Sequence, residues 1–161
     1  MKKLILYLII CVTSFSIKAQ DKSLPNITIK DLNGSNFNIQ DIANYDTPVV
    51  LSIWATWCKP CKNELNNINE VYAEWKEETG VEIFIVSIDD SRSSSKVKPY
   101  ITTMGWEFTS LIDQNKELTR ALNVTTIPHT FLIKEGKIIY EHRGYIEGDE
   151  DKLYEKIILI K

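Results

Sequence analysis

The sequence is poor in the features that mark several protein classes. Its 161 residues include only six glycines and five prolines, with no internal repeat and no low-complexity tract. Collagen-like and disordered chains are thereby excluded. Cysteine is scarce as well: three thiols cannot build a disulfide framework, though they can supply one redox pair and a spare. Basic residues form no cluster. Nineteen Lys and Arg stand against 22 Asp and Glu, a net charge of −3, so the basic face of a nucleic-acid binder is missing. What is there is the composition of a soluble globular domain, 43% hydrophobic and 25% charged, long enough for one domain and short for two.

The most apolar run stands at the start. Lys2 and Lys3 precede an apolar stretch over 4–12, and residues 13–20 turn polar around Ala19. This is the layout of a signal peptide over 1–19, removed after Ala19 to leave a domain over 20–161, and the stretch is short for a membrane-spanning helix. Ile17 occupies a position where a small residue is preferred, which keeps a retained N-terminal anchor as the alternative. Leu8-Ile9-Ile10 lacks the small residues expected ahead of a lipid-attachment cysteine, so Cys11 is not read as one. Cleavage takes away Cys11, three of the 19 basic residues and none of the 22 acidic ones, moving the charge from −3 to −6. The expectation is an exported, acidic protein, periplasmic or otherwise extracytoplasmic.

Strand and helix patterns alternate after that. Residues 24–42 read as a β-hairpin, with Ile27 and Ile29, then Phe37 and Ile39, alternating around a turn at Asp31-Leu32-Asn33-Gly34. Residues 49–54 form a buried strand, and Leu65, Ile68, Val71, Tyr72 and Trp75 recur at helical spacing up to Gly80. Residues 81–88 are a second buried strand, so strand, helix and strand make a right-handed parallel unit. A polar linker over 91–95 leads to a short helix around Pro99, tolerated only in a first turn. A strand over 109–112, a helix over 117–122, a hairpin over 129–142 and a closing helix around Leu153, Tyr154, Ile157 and Ile160 follow. The fold class is α/β, with a mixed central sheet flanked by helices, an N-terminal hairpin and an inserted helical segment.

One pentapeptide carries the chemistry. Trp57-Cys58-Lys59-Pro60-Cys61 follows a buried strand and opens a helix. A bare C-x-x-C is ambiguous between redox and zinc chemistry. Zinc needs four ligands, and the sequence offers no second cysteine pair and only His129 and His142. Two cysteines three apart at a helix start can close a disulfide. The first faces the free N–H groups and positive end of the helix dipole, which stabilise a thiolate. Cys58 is therefore the attacking nucleophile and Cys61 the resolving thiol, with Pro60 stiffening the turn. An inert structural disulfide is the bland alternative, but so small a loop stabilises little.

On Trp54-Ala55-Thr56-Trp57-Cys58-Lys59-Pro60-Cys61-Lys62, with Thr126-Ile127-Pro128-His129-Thr130 as second motif, the chain resembles the thioredoxin superfamily. More narrowly it resembles the TlpA-like extracytoplasmic thiol–disulfide oxidoreductases, over about residues 25–160. The resemblance implies a cis peptide at Ile127-Pro128 beside the cysteines, with the Ile127 backbone pairing with an extended substrate. It also implies that Glu64, three residues after Cys61, influences thiol protonation and relays a proton. From spacing alone, Glu64 could equally complement the helix dipole. Two positions depart from the pattern. Ser52 stands where thioredoxins carry a buried acid, which puts a relay through that position in doubt. Asn66 replaces a helix-kinking proline, so a straighter helix is expected.

Lys59, a cation between the cysteines, favours thiolate and so opposes Glu64. Trp57 is expected to shield the disulfide and touch substrate, while Trp75 and Trp106 are read as packing residues. His129 is read as a solvated strand-end residue and His142 as plain surface. Asp89-Asp90 is given a role in a loop or at a helix start rather than in a metal site.

The expected activity is thiol–disulfide exchange, reducing disulfides of exported proteins, with apocytochrome c thiols as one class implied by the resemblance. No bound cofactor is needed. Electrons arrive from a membrane or exported dithiol protein, and the chain acts as a monomer. The alternatives are a disulfide oxidase or isomerase, a redox-silent peptide-binding module, and a thiol peroxidase, against which the W-C-x-x-C placement argues.

Overall fold

The computed structural model describes residues 22–161. The expected signal peptide and Cys11 lie outside them. Among the described residues seven strands and four α-helices, with two short 3₁₀ helices, build one mixed sheet with helices on both faces. The N-terminal hairpin pairs β1 (Thr28–Asp31) with β2 (Asn36–Asn38), Ile29 facing Phe37. The hairpin is shorter than expected. Asn38 accepts a hydrogen bond on its side chain from the Gln40 N–H, and this cap turns Ile39–Asn44 into a 3₁₀ helix. Ile39, read as a strand residue, instead points with Ile42 into the core.

The parallel unit is as read. β3 (Val49–Trp54) pairs in parallel with β4 (Glu82–Ser87), and β4 in parallel with β5 (Thr109–Ile112). The crossover between β3 and β4 is α1 (Lys59–Thr79), 21 residues without interruption, in keeping with Asn66 in place of a kinking proline. Gly80 ends it in the left-handed conformation, where a Cβ would stand 2.8 Å from the Thr47 side chain. The polar linker holds a single 3₁₀ turn before α2 (Val97–Met104), with Pro99 in its first turn. After α3 (Glu117–Ala121), β6 (His129–Lys134) and β7 (Lys137–Arg143) add antiparallel strands, and α4 (Asp149–Ile158) closes the chain. The strand order is β2-β1-β5-β4-β3-β6-β7.

Strand alternation divides the core in two. Val50, Trp54, Ile83, Ile85 and Leu132 face α1 and α4, together with Leu65, Ile68, Trp75, Leu153 and Ile157. Val49, Leu51, Ile53, Phe84, Val86 and Phe131 face the other way, against Ile39, Ile42, Leu118 and Leu122. Both sheet faces are covered, which is why β3 and β4 read as nearly unbroken apolar runs. Ser52 on β3 and Thr130 on β6 place hydroxyls among the apolar residues of the α1 side. Among the described residues no helix is long and apolar enough to cross a membrane.

Candidate active site

The site begins where β3 ends. Two residues past Trp54 the chain turns at Thr56, and Cys58 caps α1, its Sγ accepting from the Cys61 N–H at 3.3 Å. Cys58 and Cys61 are joined, with S–S 2.02 Å and Cα–Cα 5.4 Å. The pair is asymmetric in exposure: Cys58 keeps 6% of its surface, whereas Cys61 keeps none. An incoming sulfur can reach only the first, which suits it for attack and leaves the second for resolution. Lys59 and Pro60 are exposed at the first turn. Trp57 is 62% exposed beside them, an apolar side chain open to solvent.

The antiparallel register sets Ile53 opposite His129. Pro128, one residue earlier, therefore arrives at the end of β3 from which the cysteine turn departs. The Ile127–Pro128 peptide is cis, and the Pro128 carbonyl accepts from the Gly144 N–H at 2.8 Å.

Glu64 lies one helical turn beyond Cys61 and points inward, only 4% exposed. Its Oε2 accepts from the Ser52 hydroxyl at 3.1 Å and its Oε1 from the Thr130 hydroxyl at 2.8 Å. Ser52 and Thr130 are direct cross-strand partners on β3 and β6. Burial pushes the Glu64 carboxyl up to about 7; the two hydroxyl hydrogen bonds oppose the rise, and the carboxylates of Asp149 and Glu150 add to it. The carboxyl is turned in beneath α1 rather than held out to solvent at the helix start. Position 52 thus belongs to the acid's surroundings after all, through a hydroxyl rather than a carboxylate.

A second buried carboxylate holds the turn itself. Asp89 accepts from the Thr56 N–H at 2.8 Å, the Thr56 hydroxyl at 2.6 Å and the Ser87 hydroxyl at 2.7 Å. Burial raises its proton affinity, but these bonds outweigh it and keep the carboxyl below its ordinary value. Asp90 accepts from the Arg92 guanidinium at 2.7 Å and from the Arg92 N–H at 3.0 Å. Both roles are those of loop organisers, and among the described residues no group of three or more His, Cys, Asp and Glu is placed to hold a metal ion.

Both histidines differ from the sequence reading. His129 is fully buried, stacked on Phe131 with ring centroids 4.3 Å apart, because β3 and β7 pair on either side of it. Its Nε2 is 3.7 Å from Glu141, beyond hydrogen-bond reach, and burial pushes the imidazole's pKa down. His142 is not plain surface: its Nε2 lies 3.1 Å from Asp149 Oδ2, because the start of α4 folds over β7. Trp75 and Trp106 do pack, Trp75 stacked on Tyr154 and Trp106 edge-on to Trp54, and the Trp106 indole N–H donates to Asn66. Residues that sequence reasoning missed are Thr130, Asp149 and the Asp89–Thr56 pair. Hydroxyls at inward positions of apolar strands, Ser52 and Thr130, were the available signal for a buried polar partner.

Comparison with known proteins agrees with this geometry. The profile of the AhpC/TSA family matches residues 20–142. The thiol–disulfide oxidoreductase ResA of Bacillus thuringiensis subsp. konkukian is 36% identical over 124 residues, covering 76% of this chain and 69% of that protein. A thioredoxin-like protein from Porphyromonas gingivalis superposes with TM-score 0.76 at 42% identity, over 85% of this chain and 90% of that one. A candidate thiol:disulfide interchange protein DsbE from Chlorobium tepidum gives TM-score 0.74 at 26% identity, over 86% and 94%. With the family match over residues 20–142, the ResA relative and the Cys58–Cys61 pair on a thioredoxin-like sheet, the chain belongs to the AhpC/TSA family and is a thiol–disulfide oxidoreductase.

Proposed function

We propose that the protein is exported and works in the reducing direction, on disulfides of other exported proteins. The observation that carries this reading is Glu64: a buried acid, one helical turn past the resolving thiol, that exchanges its proton near pH 7. Such a carboxyl disfavours thiolate in the reduced pair, and a reduced pair without strong thiolate stabilisation is a reductant.

In the first step the Cys58 thiolate attacks a substrate disulfide. One substrate sulfur bonds to Cys58 and the other leaves as thiolate. Cys61 then gives its proton to Glu64 and attacks Cys58 Sγ. The Cys58–Cys61 bond forms, the mixed disulfide breaks, and the second substrate sulfur leaves as thiolate. The two leaving thiolates take protons from water. Two electrons have passed to the substrate, and a dithiol of a membrane or exported partner restores them by the same exchange in reverse.

Ile127 and Pro128 dock the extended substrate backbone, Trp57 gives it an apolar contact, Lys59 favours the Cys58 thiolate, and Pro60 stiffens the turn. The chain does this as a monomer and without a bound cofactor. Apocytochrome c, whose cysteines must be reduced before haem attachment, is the narrower substrate class.

The test is the equilibrium reduction potential of the Cys58–Cys61 pair, read by thiol trapping in a redox buffer. A value at or below about −250 mV supports the reductase, and one near −120 mV overturns the direction. Cys58→Ser is expected to abolish exchange; function retained without that thiol would identify a binding module instead.

A further inference from the structure

The polar row beneath α1 does not stop at Glu64. Ser52, Thr130 and His142 are successive cross-strand partners on β3, β6 and β7, and direct partners share a sheet face. Glu64 bonds to the first two. Toward the third opens a crevice lined by Glu64, Thr130, Tyr140, His142, Asp149 and Glu150, with room for about one water molecule. Its walls carry the polar groups that an enclosed water requires. At the outer end the His142 side chain is 35% exposed and holds Asp149 through Nε2. Asp149 is fixed in turn by the Ile146 N–H at 2.9 Å and the Lys152 ammonium at 2.8 Å.

A buried acid that cycles needs an outlet. On the mechanism proposed above, Glu64 must be ionised to take the Cys61 proton, and near pH 7 it holds a proton of its own part of the time, which must leave before Cys61 can react. Its own carboxyl is 4% exposed, and its two hydroxyl partners carry no spare base. Imidazole is the side chain that takes up and releases protons near neutral pH.

We propose that His142 is the outer proton acceptor for Glu64, reached through one water in the crevice. The inference rests on the reductase reading and adds a route to it. The Cys61 S–H proton passes to the Glu64 carboxylate. Glu64 gives it to the water, the water gives one of its own to the imidazole, and the imidazolium releases it to solvent. No electron moves along this path. The ionisable groups facing the path come from three elements. Asp149 and Glu150 face it from α4, Tyr140 from β7 and Glu64 from α1, with only the Lys152 ammonium on the far side of Asp149 as counter-charge. β3 and β6 contribute only the neutral hydroxyls of Ser52 and Thr130. His142 never touches the reacting sulfurs; it acts through Glu64.

The experiment measures the rate of a disulfide-bonded peptide's reduction by prereduced protein, in dilute buffer, for the wild type, His142→Ala and His142→Gln. Both variants are expected to slow by roughly tenfold or more at the Cys61 step. Added imidazole should restore the rate of His142→Ala, and the equilibrium reduction potential should stay at the wild-type value, since a proton path changes rate and not equilibrium. Glu64→Gln should show no response to imidazole. Variants as fast as the wild type in dilute buffer overturn the path, as does a loss in His142→Ala that imidazole leaves untouched. If His142→Ala does not fold, His142→Gln, which keeps a donor for Asp149, decides by its rate alone. A wild-type protein that cannot reduce the peptide instead sinks the reductase reading on which the path depends.

Discussion

Two buried carboxylates flank the cysteine turn in space, and the fold treats them in opposite ways. Asp89 receives three hydrogen bonds, one from a backbone N–H, and is held ionised below its ordinary range. Glu64 receives two, both from hydroxyls, and is pushed up to about 7. Surface exposure does not separate them, since both are nearly sealed from solvent, but Glu64 lies deeper in the protein. The difference lies in that depth, in how many donors meet each carboxylate and in which charges stand nearby. Asp89 looks onto a loop whose N–H needs an acceptor, while Glu64 looks past its hydroxyls toward two further carboxylates, Asp149 and Glu150. One acid holds the turn in its ionised form, and the other keeps its proton up to about neutral pH.

The strongest way to break that contrast is to remove the structural acid. Asp89→Ala leaves the Thr56 N–H, the Thr56 hydroxyl and the Ser87 hydroxyl without their acceptor. At about 1–3 kcal/mol for each buried group left unpaired, a loss on the order of 4 kcal/mol is expected in urea unfolding at neutral pH. A loss under about 1 kcal/mol would show that water replaces the carboxylate and that Asp89 is not the anchor of the turn.

The opposite pH slopes come next. Glu64 binds its proton more tightly folded, at about 7, than unfolded, at 4.5, so between those values the native state holds more protons. Stability of the oxidised protein should therefore be complete below about 4.5 and decline as pH rises to 7, by on the order of 3 kcal/mol. Asp89, with its lowered value, contributes in the other sense: its share is present above the ordinary value of 3.8 and is lost on acidification below it. Glu64→Gln should flatten the first decline and leave the second in place. Unfolding curves at successive pH values check both; an unchanged slope between pH 5 and 7 in the variant would show that another group titrates there.

The smallest effect sharpens the comparison. Ser52→Ala and Thr130→Val each delete one hydroxyl donor to Glu64, which should raise its pKa by up to about one unit, the equivalent of one hydrogen bond to a charged group. The carboxyl carbon shift of labelled Glu64, followed against pH by NMR, reads this directly. A downward move would mean that the hydroxyls favour the protonated acid.

Much of this was legible in the chain. The cysteine pair after a buried strand, the long helix to Gly80 and the order of the strands rest on local patterns, which a sequence displays openly. Ile39 was misread because its alternation with Phe37 satisfies a strand, and only the Asn38 cap turns it into a 3₁₀ residue. The histidines were misread for a larger reason. His129 sits at a strand end in the sequence, but neighbouring strands cover it on both sides; His142 sits on an edge strand, but the start of α4 closes over it. Burial of a strand residue depends on what pairs with it, and pairing is not written locally.

The sequence by itself determined the type of chemistry: two cysteines three apart at a helix N-terminus point to thiol exchange, with an acid one turn on whose part spacing alone leaves open. What surrounds that acid, only the tertiary structure decided. Ser52, Thr130 and His142 are separated by 78 and 12 positions in the chain, and antiparallel register alone makes them one row beneath Glu64. A side chain's proton affinity follows from its neighbours in space, and those are fixed by strand pairing and helix packing.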